Sequence, residues 1–145
     1  MALTIKRTML WRKEVPDHAG VLAEVLGPLA RAKVDLQVVM GYDIPGQPNR
    51  AAIEVAPISG KRAARAAADA GLALSTIPAL QVVGDNKPGL GQAIAAAMGA
   101  AGVNLGFLVA QVIGRRYSCV IGFETPDDAD RAAKLIRAAT RPKKS

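Results

Sequence analysis

The residues best suited to bind a small ligand form a loop in the second half of the chain. Asn86, Lys87, Pro88 and Gly89 lead into an apolar stretch that begins at Leu90. The first turn of a helix leaves backbone N–H groups without partners, and the helix dipole adds positive partial charge, so an anion is favoured there. Glycine lets a ligand approach the backbone closely, and proline fixes the turn. The loop therefore predicts a site for a small anionic group.

A second amide side chain, Asn104, follows the apolar stretch and opens the next predicted strand. An amide offers both a hydrogen-bond donor and an acceptor, which suits the two ends of a free amino acid. We therefore expect Asn86 and Asn104 to lie near the same edge of the fold. The alternative is purely structural, because Asn, Asp and Gly before a helix are also good caps and turns.

A related loop occurs earlier in the chain, where Asp17 stands in surroundings that match those of Asn86. The earlier copy contains Asp17, His18, Ala19 and Gly20, leads into Val21, and has Asp35 where the later copy has Asn104. Two carboxylates would repel a ligand carboxylate unless one of them paired with the ligand's amine. We therefore expect a ligand site in the second copy rather than in the first.

The two copies match over residues 17–36 and 86–105 without a gap, and each predicts strand–helix–strand–strand–helix. Apolar spacing predicts the first helix of each copy at residues 21–32 and 90–101. Beyond the following hairpin, a turn one residue shorter in the second copy is expected to align Ala52, Ile53 and Val55 with Val120, Ile121 and Phe123. The second helices begin at Thr125-Pro126, a strong start signal, and at Ser59, a weaker one.

Long strands are predicted before each loop, at residues 3–15 and 72–83, and Pro78 is expected to interrupt the second. Residues 72–77 can close the sheet of the first copy. Only a short basic tail follows the last helix, so we expect residues 3–8 to pair back as the missing edge strand of the second copy. The repeat predicts two domains, residues 1–70 and 71–145.

Because these motifs occur in the same order in both copies, the chain resembles a tandem protein of the ACT family of amino-acid-binding regulatory domains. Asn86-Lys87-Pro88-Gly89, the apolar helix and Gly102-Val103-Asn104-Leu105 are similar to the family's loop and strand start. The first copy departs from that pattern, because Ala19 replaces the Pro and Asp replaces both Asn residues. The resemblance implies an α+β fold of two ferredoxin-like βαββα(β) modules, antiparallel sheets with helices on one face, packed as a pseudo-dimer.

The same resemblance implies a regulatory protein that binds a free amino acid, with the loop amides taking the carboxylate. Carried over by position, Asn86, Pro88, Gly89, Leu90 and Asn104 would form one site, with Lys87 in its loop. Asp17, Ala19, Gly20, Val21 and Asp35 would form the other, with His18 in its loop. The expected partners are a free amino acid, a second copy of the chain in a homodimer, and an amino-acid metabolic enzyme. The alternative is a dimerisation or docking module that binds no ligand.

The other reactive residue types argue against catalysis. His18 is the only histidine and Cys119 the only cysteine, so the sequence has no cluster for metal ligation or for a catalytic triad. Cys119 lies in an apolar predicted strand and is expected to be buried. We therefore expect no enzymatic activity and no cofactor.

Net charge and hydropathy suggest two further classes of protein, those that bind nucleic acid and those that enter membranes. The net charge of +7 favours nucleic-acid binding, but aromatic residues make up only 3% of the chain and cannot form a base-stacking platform. Residues 88–114 are uncharged and long enough to span a bilayer, whereas the matching stretch of the first copy holds Glu24, Arg31, Lys33 and Asp35. We expect a cytoplasmic protein that binds neither nucleic acid nor membranes, and the single cysteine fits a reducing compartment.

Overall fold

The computed structural model of this chain describes residues 3–141. Its elements in chain order are β1 (Thr4–Thr8), β2 (Trp11–Pro16), α1 (Val21–Arg31), β3 (Val38–Asp43), β4 (Arg50–Ala56), α2 (Gly60–Asp69), β5 (Ala73–Leu74), β6 (Ala79–Asp85), α3 (Leu90–Ala100), β7 (Leu105–Ile113), β8 (Arg116–Phe123) and α4 (Pro126–Thr140). The strands form two antiparallel four-stranded sheets. The α+β class and the two ferredoxin-like modules are therefore confirmed.

The N-terminal module, Met9–Thr76, is a compact unit with the strand order β3-β4-β2-β5. The short strand β5 pairs with β2 through Trp11↔Leu74 and Arg12↔Ala73. The expectation that residues 72–77 close this sheet is therefore confirmed. Val25 and Leu29 of α1 are fully buried in the core that this sheet shares with its helices.

The C-terminal module comprises the described residues of Met1–Thr8 and Ile77–Ser145, with the strand order β1-β6-β8-β7. Strand β1 pairs antiparallel with β6 from Thr4↔Val83 to Thr8↔Ala79. The prediction that residues 3–8 complete this sheet is confirmed. Ile5 places its side chain in the core of this module, 7% exposed. Such burial of one face fixes the register of the strand, because a one-residue slip would expose that side chain.

The backbone hydrogen bonds repeat from one module to the other. The Val21 amide donates to the His18 carbonyl (3.2 Å), and the Leu90 amide donates to the Lys87 carbonyl (3.1 Å). The correspondence of the two copies that was inferred from the loops thus holds for the backbone as far as the hairpin.

Beyond the hairpin, the expected alignment of the two copies is wrong. The pair Trp11↔Val55 of β2 and β4 corresponds to Leu80↔Ile121 of β6 and β8. Val55 is therefore the equivalent of Ile121 and not of Phe123, because the turn of the second copy is shorter than expected. The expected alignment matches Val55 with Phe123, and the observed one matches it with Ile121. These two residues of β8 are two positions apart, and such residues share one face of a strand. For that reason the apolar alternation could not reveal the error.

Both long predicted strands are divided. Residues 3–15 form β1 and β2, separated at Met9 and Leu10, because the two halves belong to different sheets. Residues 72–83 form β5 and β6 on either side of Pro78, as expected. The strand predicted to open at Asn104 begins instead at Leu105, so Asn104 lies in the loop before β7. Among the described residues, no helix is both long and apolar enough to cross a membrane.

Candidate functional site

The loop before α3 has the geometry of an uncapped helix start. Gly89 is the N-cap residue with φ 86°, in the left-handed region, and no side chain caps the helix. Glycine adopts this backbone conformation without the steric penalty that a Cβ atom brings. The backbone N–H of Asn86 donates to the Arg115 carbonyl (2.7 Å), which fixes the loop to the β7–β8 turn. The first turn of α3 therefore presents backbone N–H donors at the surface.

A cavity of about 420 Å³ adjoins this loop, a volume within the range of small-molecule sites. It lies between the start of α3 and the end of α4, and its lining residues are Lys87, Pro88, Gly89, Leu90, Ala93, Ala139, Thr140 and Arg141. Helix α4 follows β8, which runs antiparallel to β6, so the end of α4 lies beside the start of α3. The topology therefore brings together the two helix ends that line this cavity.

The electrostatics of the cavity favour an anion. Lys87 and Arg141 are exposed cations, and none of the described residues that line the cavity is acidic. The positive end of the α3 dipole lies at this end of the helix and also favours an anion. Thr140 donates its hydroxyl proton to the Ile136 carbonyl (2.6 Å), which leaves the hydroxyl oxygen as an acceptor for an amine. The cavity thus offers partners for both ends of an amino acid.

Four of the residues predicted for the second loop come together in this cavity, namely Lys87, Pro88, Gly89 and Leu90. Asn86 and Asn104 are not among its lining residues. The sequence reasoning missed Thr140 and Arg141. The signal that could have found them is topological, since the ferredoxin-like connection places the end of α4 beside the start of α3.

Tyr117 of β8 lies beneath the first turn of α3. Its side chain is 5% exposed, and the hydroxyl oxygen has no hydrogen-bond partner among the described residues. A Cβ atom built on Gly91 would lie 3.7 Å from that oxygen, its only contact within 4 Å among the described residues apart from neighbouring residues of its own helix. Burial, with a smaller effect of the neighbouring Cys119 thiol, raises the pKa of Tyr117 to about 12. The phenol therefore stays protonated at neutral pH.

Cys119 is fully buried, as expected from its apolar strand. Burial raises the pKa of its thiol to about 11. A protonated, inaccessible thiol is a poor nucleophile. The described residues contain no group of three or more His, Cys, Asp or Glu side chains that could hold a metal ion.

The first loop shares the backbone geometry but has different surroundings. Gly20 is an uncapped N-cap residue with φ 88°. The His18 Nδ1 atom lies 3.0 Å from the Ala19 carbonyl oxygen, and the ring is exposed. Of the residues predicted for this loop, Asp17 lines a cavity of about 420 Å³. The others, namely His18, Ala19, Gly20, Val21 and Asp35, do not line it. The other lining residues belong to the β3–β4 turn and the strand ends beside it, and the charged ones among them are Asp43 and Arg50.

Several solved structures share this fold. Protein BT0572 from Bacteroides thetaiotaomicron matches with a TM-score of 0.71 and 17% identity, over 90% of this chain and 88% of that chain. The ligand-free regulatory subunit of aspartate kinase from Thermus thermophilus matches with a TM-score of 0.62 and 18% identity, over 97% and 98% of the two chains. The corresponding subunit from Thermus flavus matches with a TM-score of 0.58 and 18% identity, over 96% and 97%.

At these identities the likeness concerns the fold. The aspartate kinase regulatory subunits have an ACT-domain fold, so the resemblance to a tandem ACT protein is confirmed at that level. No family model and no curated protein matches the sequence.

Proposed function

We propose that this chain is a non-enzymatic regulatory protein that binds a free amino acid at the start of α3. The observation that carries the proposal is the uncapped, left-handed Gly89 turn beside a cavity lined by two cations. The N–H groups of the first turn and the charges of Lys87 and Arg141 would hold the ligand carboxylate. The Thr140 hydroxyl oxygen would accept a hydrogen bond from the ligand's amine.

A regulatory role is supported by the neighbours named as regulatory subunits of aspartate kinase. By that analogy, which rests on fold alone, the ligand would change how the chain acts on a metabolic enzyme. The N-terminal loop is not expected to contribute a carboxylate site, because the carboxylates Asp17 and Asp43 outnumber the single cation Arg50 in the lining of the cavity beside it. Those two carboxylates would repel an anion.

Thermal unfolding in the presence of each of the twenty amino acids tests this proposal. An amino acid at 100 times its dissociation constant should add about 2.7 kcal/mol to the free energy of unfolding. Lys87→Glu should weaken the binding of a stabilising amino acid about tenfold or more, because it reverses a charge beside the carboxylate. His18→Glu is the matched control, since His18 occupies the equivalent position of the first loop and should leave the dissociation constant unchanged.

Two results would contradict the proposal. One is the absence of a shift in melting temperature with all twenty amino acids at millimolar concentration. The other is equal binding by the wild type and by Lys87→Glu, which would place the carboxylate away from this loop.

A second candidate function, self-association as an interaction module, is favoured by strand β7. This nine-residue strand lies at the edge of its sheet and contains no charged residue. Val109, Val112 and Ile113 on it are 52%, 48% and 67% exposed. Proteins usually protect such edges with charges, prolines or bulges, because an unpaired strand pairs with another chain. The irregularity of β7 lies between Leu105 and Phe107, at its start, and the pairing with β8 is regular from Phe107 to Ile113. The occupant that we propose is the same strand of a second copy.

Sedimentation velocity of the wild type and of Val109→Lys distinguishes this candidate. We expect a dimer for the wild type and a monomer for the variant, because the introduced charge opposes edge pairing. A wild type that sediments as a monomer at all concentrations would contradict self-association. The amino-acid screen then decides between the two functions, since the interaction module alone predicts no ligand-dependent shift.

A further inference from the structure

We propose that the Tyr117 hydroxyl is a recognition group of the α3 site, reached past Gly91, which donates a hydrogen bond to an anionic oxygen of the ligand. This assignment rests on the proposed function of the same site and names a further residue that selects its ligand. Two features of the C-terminal module support it, and neither is explained by the packing of the fold.

The first feature is the unpaired hydroxyl. Buried polar groups in native proteins nearly always have a hydrogen-bond partner, and each exception calls for an explanation. Tyr117 is 5% exposed, and its oxygen has no partner among the described residues. Phenylalanine would fill the same volume without leaving a polar atom unpaired. The hydroxyl is therefore a local disadvantage to stability that a binding role would explain.

The second feature is the glycine above that hydroxyl. Gly91 lies in the first turn of α3 with an ordinary helical backbone, where alanine would favour the helix. The missing side chain leaves an exposed position whose Cβ site lies 3.7 Å from the Tyr117 oxygen. Neither Gly91 nor Tyr117 is among the lining residues of the cavity. A ligand oxygen would therefore reach the phenol by entering at the place of this missing side chain, about 1 Å beyond the Cβ site, because an O–H···O hydrogen bond spans about 2.7 Å.

The N-terminal module shows that the fold requires neither residue. Leu22 is the equivalent of Gly91, because each is the second residue of its helix. The strand pair Val15↔Ala51 corresponds to Gly84↔Tyr117. The equivalent positions therefore hold a leucine and an alanine. A hydroxyl below a glycine is thus a feature of the C-terminal module, which is also the module whose loop cavity is cationic.

The protonation state of Tyr117 suits an anionic partner. Burial raises its pKa to about 12, so at neutral pH the phenol is a hydrogen-bond donor. The N–H groups of the first turn are donors as well, so a ligand atom that contacts the phenol or these groups must be an acceptor. A carboxylate oxygen matches this set, because charged acceptors make the stronger hydrogen bonds.

The test compares Tyr117→Phe with the wild type. Binding of each of the twenty amino acids, of acetate and of inorganic phosphate is measured through the melting temperature and by calorimetry. We expect Tyr117→Phe to be at least as stable as the wild type without added anion, but to bind the stabilising probe about tenfold more weakly. Gly91→Ala should likewise raise stability and weaken binding, because the new methyl group occupies the approach to the hydroxyl. Leu22→Ala, at the equivalent position of the other module, should leave binding unchanged.

Failure of the proposed function is seen in the wild type, whereas failure of the Tyr117 assignment is seen in the two variants. If the wild type responds to none of the probes, the proposed function and this assignment both fail. If the wild type responds, while Tyr117→Phe and Gly91→Ala bind the same probe with unchanged dissociation constants, the proposed function stands. In that case the assignment of Tyr117 is wrong.

Discussion

The loops before α1 and α3 have the same backbone and opposite chemistry. Gly20 and Gly89 both stand at left-handed N-caps, with φ 88° and 86°, and neither helix has a side-chain cap. The charged residues that line the cavity beside the first loop are Asp17, Asp43 and Arg50, whereas those beside the second loop are the two cations Lys87 and Arg141. The shared frame thus sets where a ligand could bind, and the side chains set which charge it could carry.

The sheet faces that point away from the helices differ in the same way. In the N-terminal module, Arg12 donates to the Tyr42 hydroxyl (2.7 Å), and that hydroxyl donates to the Glu54 carboxylate (2.9 Å). The strand pair Arg12↔Glu54 corresponds to Gln81↔Val120 in the C-terminal module. At the position of this charged pair, the C-terminal module therefore has two uncharged residues, and the ion pair on its own face, Asp85–Arg116 (2.8 Å), lies at the ends of β6 and β8. A repeat of backbone does not imply a repeat of chemistry.

The largest expected effect comes from breaking the charged network. Glu54 is fully buried, and Arg12 forms an ion pair with it, with Nη1 3.8 Å from Oε1. Removing one member of a buried ion pair typically costs about 3–5 kcal/mol, because the other charge is left uncompensated. Since Arg12 is partly exposed and water can reach its site, we expect Arg12→Ala to lower the free energy of unfolding by about 3 kcal/mol, the lower end of that range. Urea denaturation measures this loss.

Gln81→Ala is the matched control for that variant. Gln81 is the uncharged residue at the equivalent position of the C-terminal sheet, so its truncation should cost less than about 1 kcal/mol. Equal losses for the two variants would show that the charged network adds nothing to the stability of its module. A double variant, Arg12→Leu with Glu54→Leu, should recover most of the loss, because no charge is left unpaired.

A smaller effect on the free energy of unfolding is expected at alkaline pH. It comes from Tyr117 of the C-terminal module, whose equivalent in the N-terminal module is Ala51. Burial raises the pKa of this phenol from 10.0 to about 12. The stability that comes from keeping the phenol protonated is fully present below about pH 10 and is lost as the pH rises towards 12. Tyr117→Phe should therefore flatten the decrease in unfolding free energy over this range, measured by urea denaturation at several pH values.

Tyr42 provides the comparison for that experiment. Burial, followed by its hydrogen bond to Glu54, also raises the pKa of Tyr42. Some alkaline loss should thus remain in Tyr117→Phe. A variant with the same pH dependence as the wild type would contradict the assigned burial of Tyr117.

The sequence predicts the helices and the strand pairing of this fold better than the residues of its candidate site. The loop pattern at Asp17 and Asn86 located both helices, because glycine before an apolar helix has few alternatives. The pairing of residues 3–8 followed from counting strands. The cavity could not be predicted in the same way, since Thr140 and Arg141 are distant from Gly89 along the chain and reach it only through the packing of α4. Tyr117 was overlooked because an apolar strand conceals a buried hydroxyl.

The smallest expected effect concerns the starts of the second helices, where the sequence signals differ in strength. The Thr125 hydroxyl accepts a hydrogen bond from the Asp128 amide (3.0 Å), whereas Ser59 stands at the N-cap of α2 without a side-chain hydrogen bond. Thr125→Ala should therefore lower the free energy of unfolding by about 1 kcal/mol, the usual cost of losing such a cap. Ser59→Ala should change it by less than about 0.5 kcal/mol. Urea denaturation compares them, and a loss from Ser59→Ala that matches the loss from Thr125→Ala would show that both modules use their caps alike.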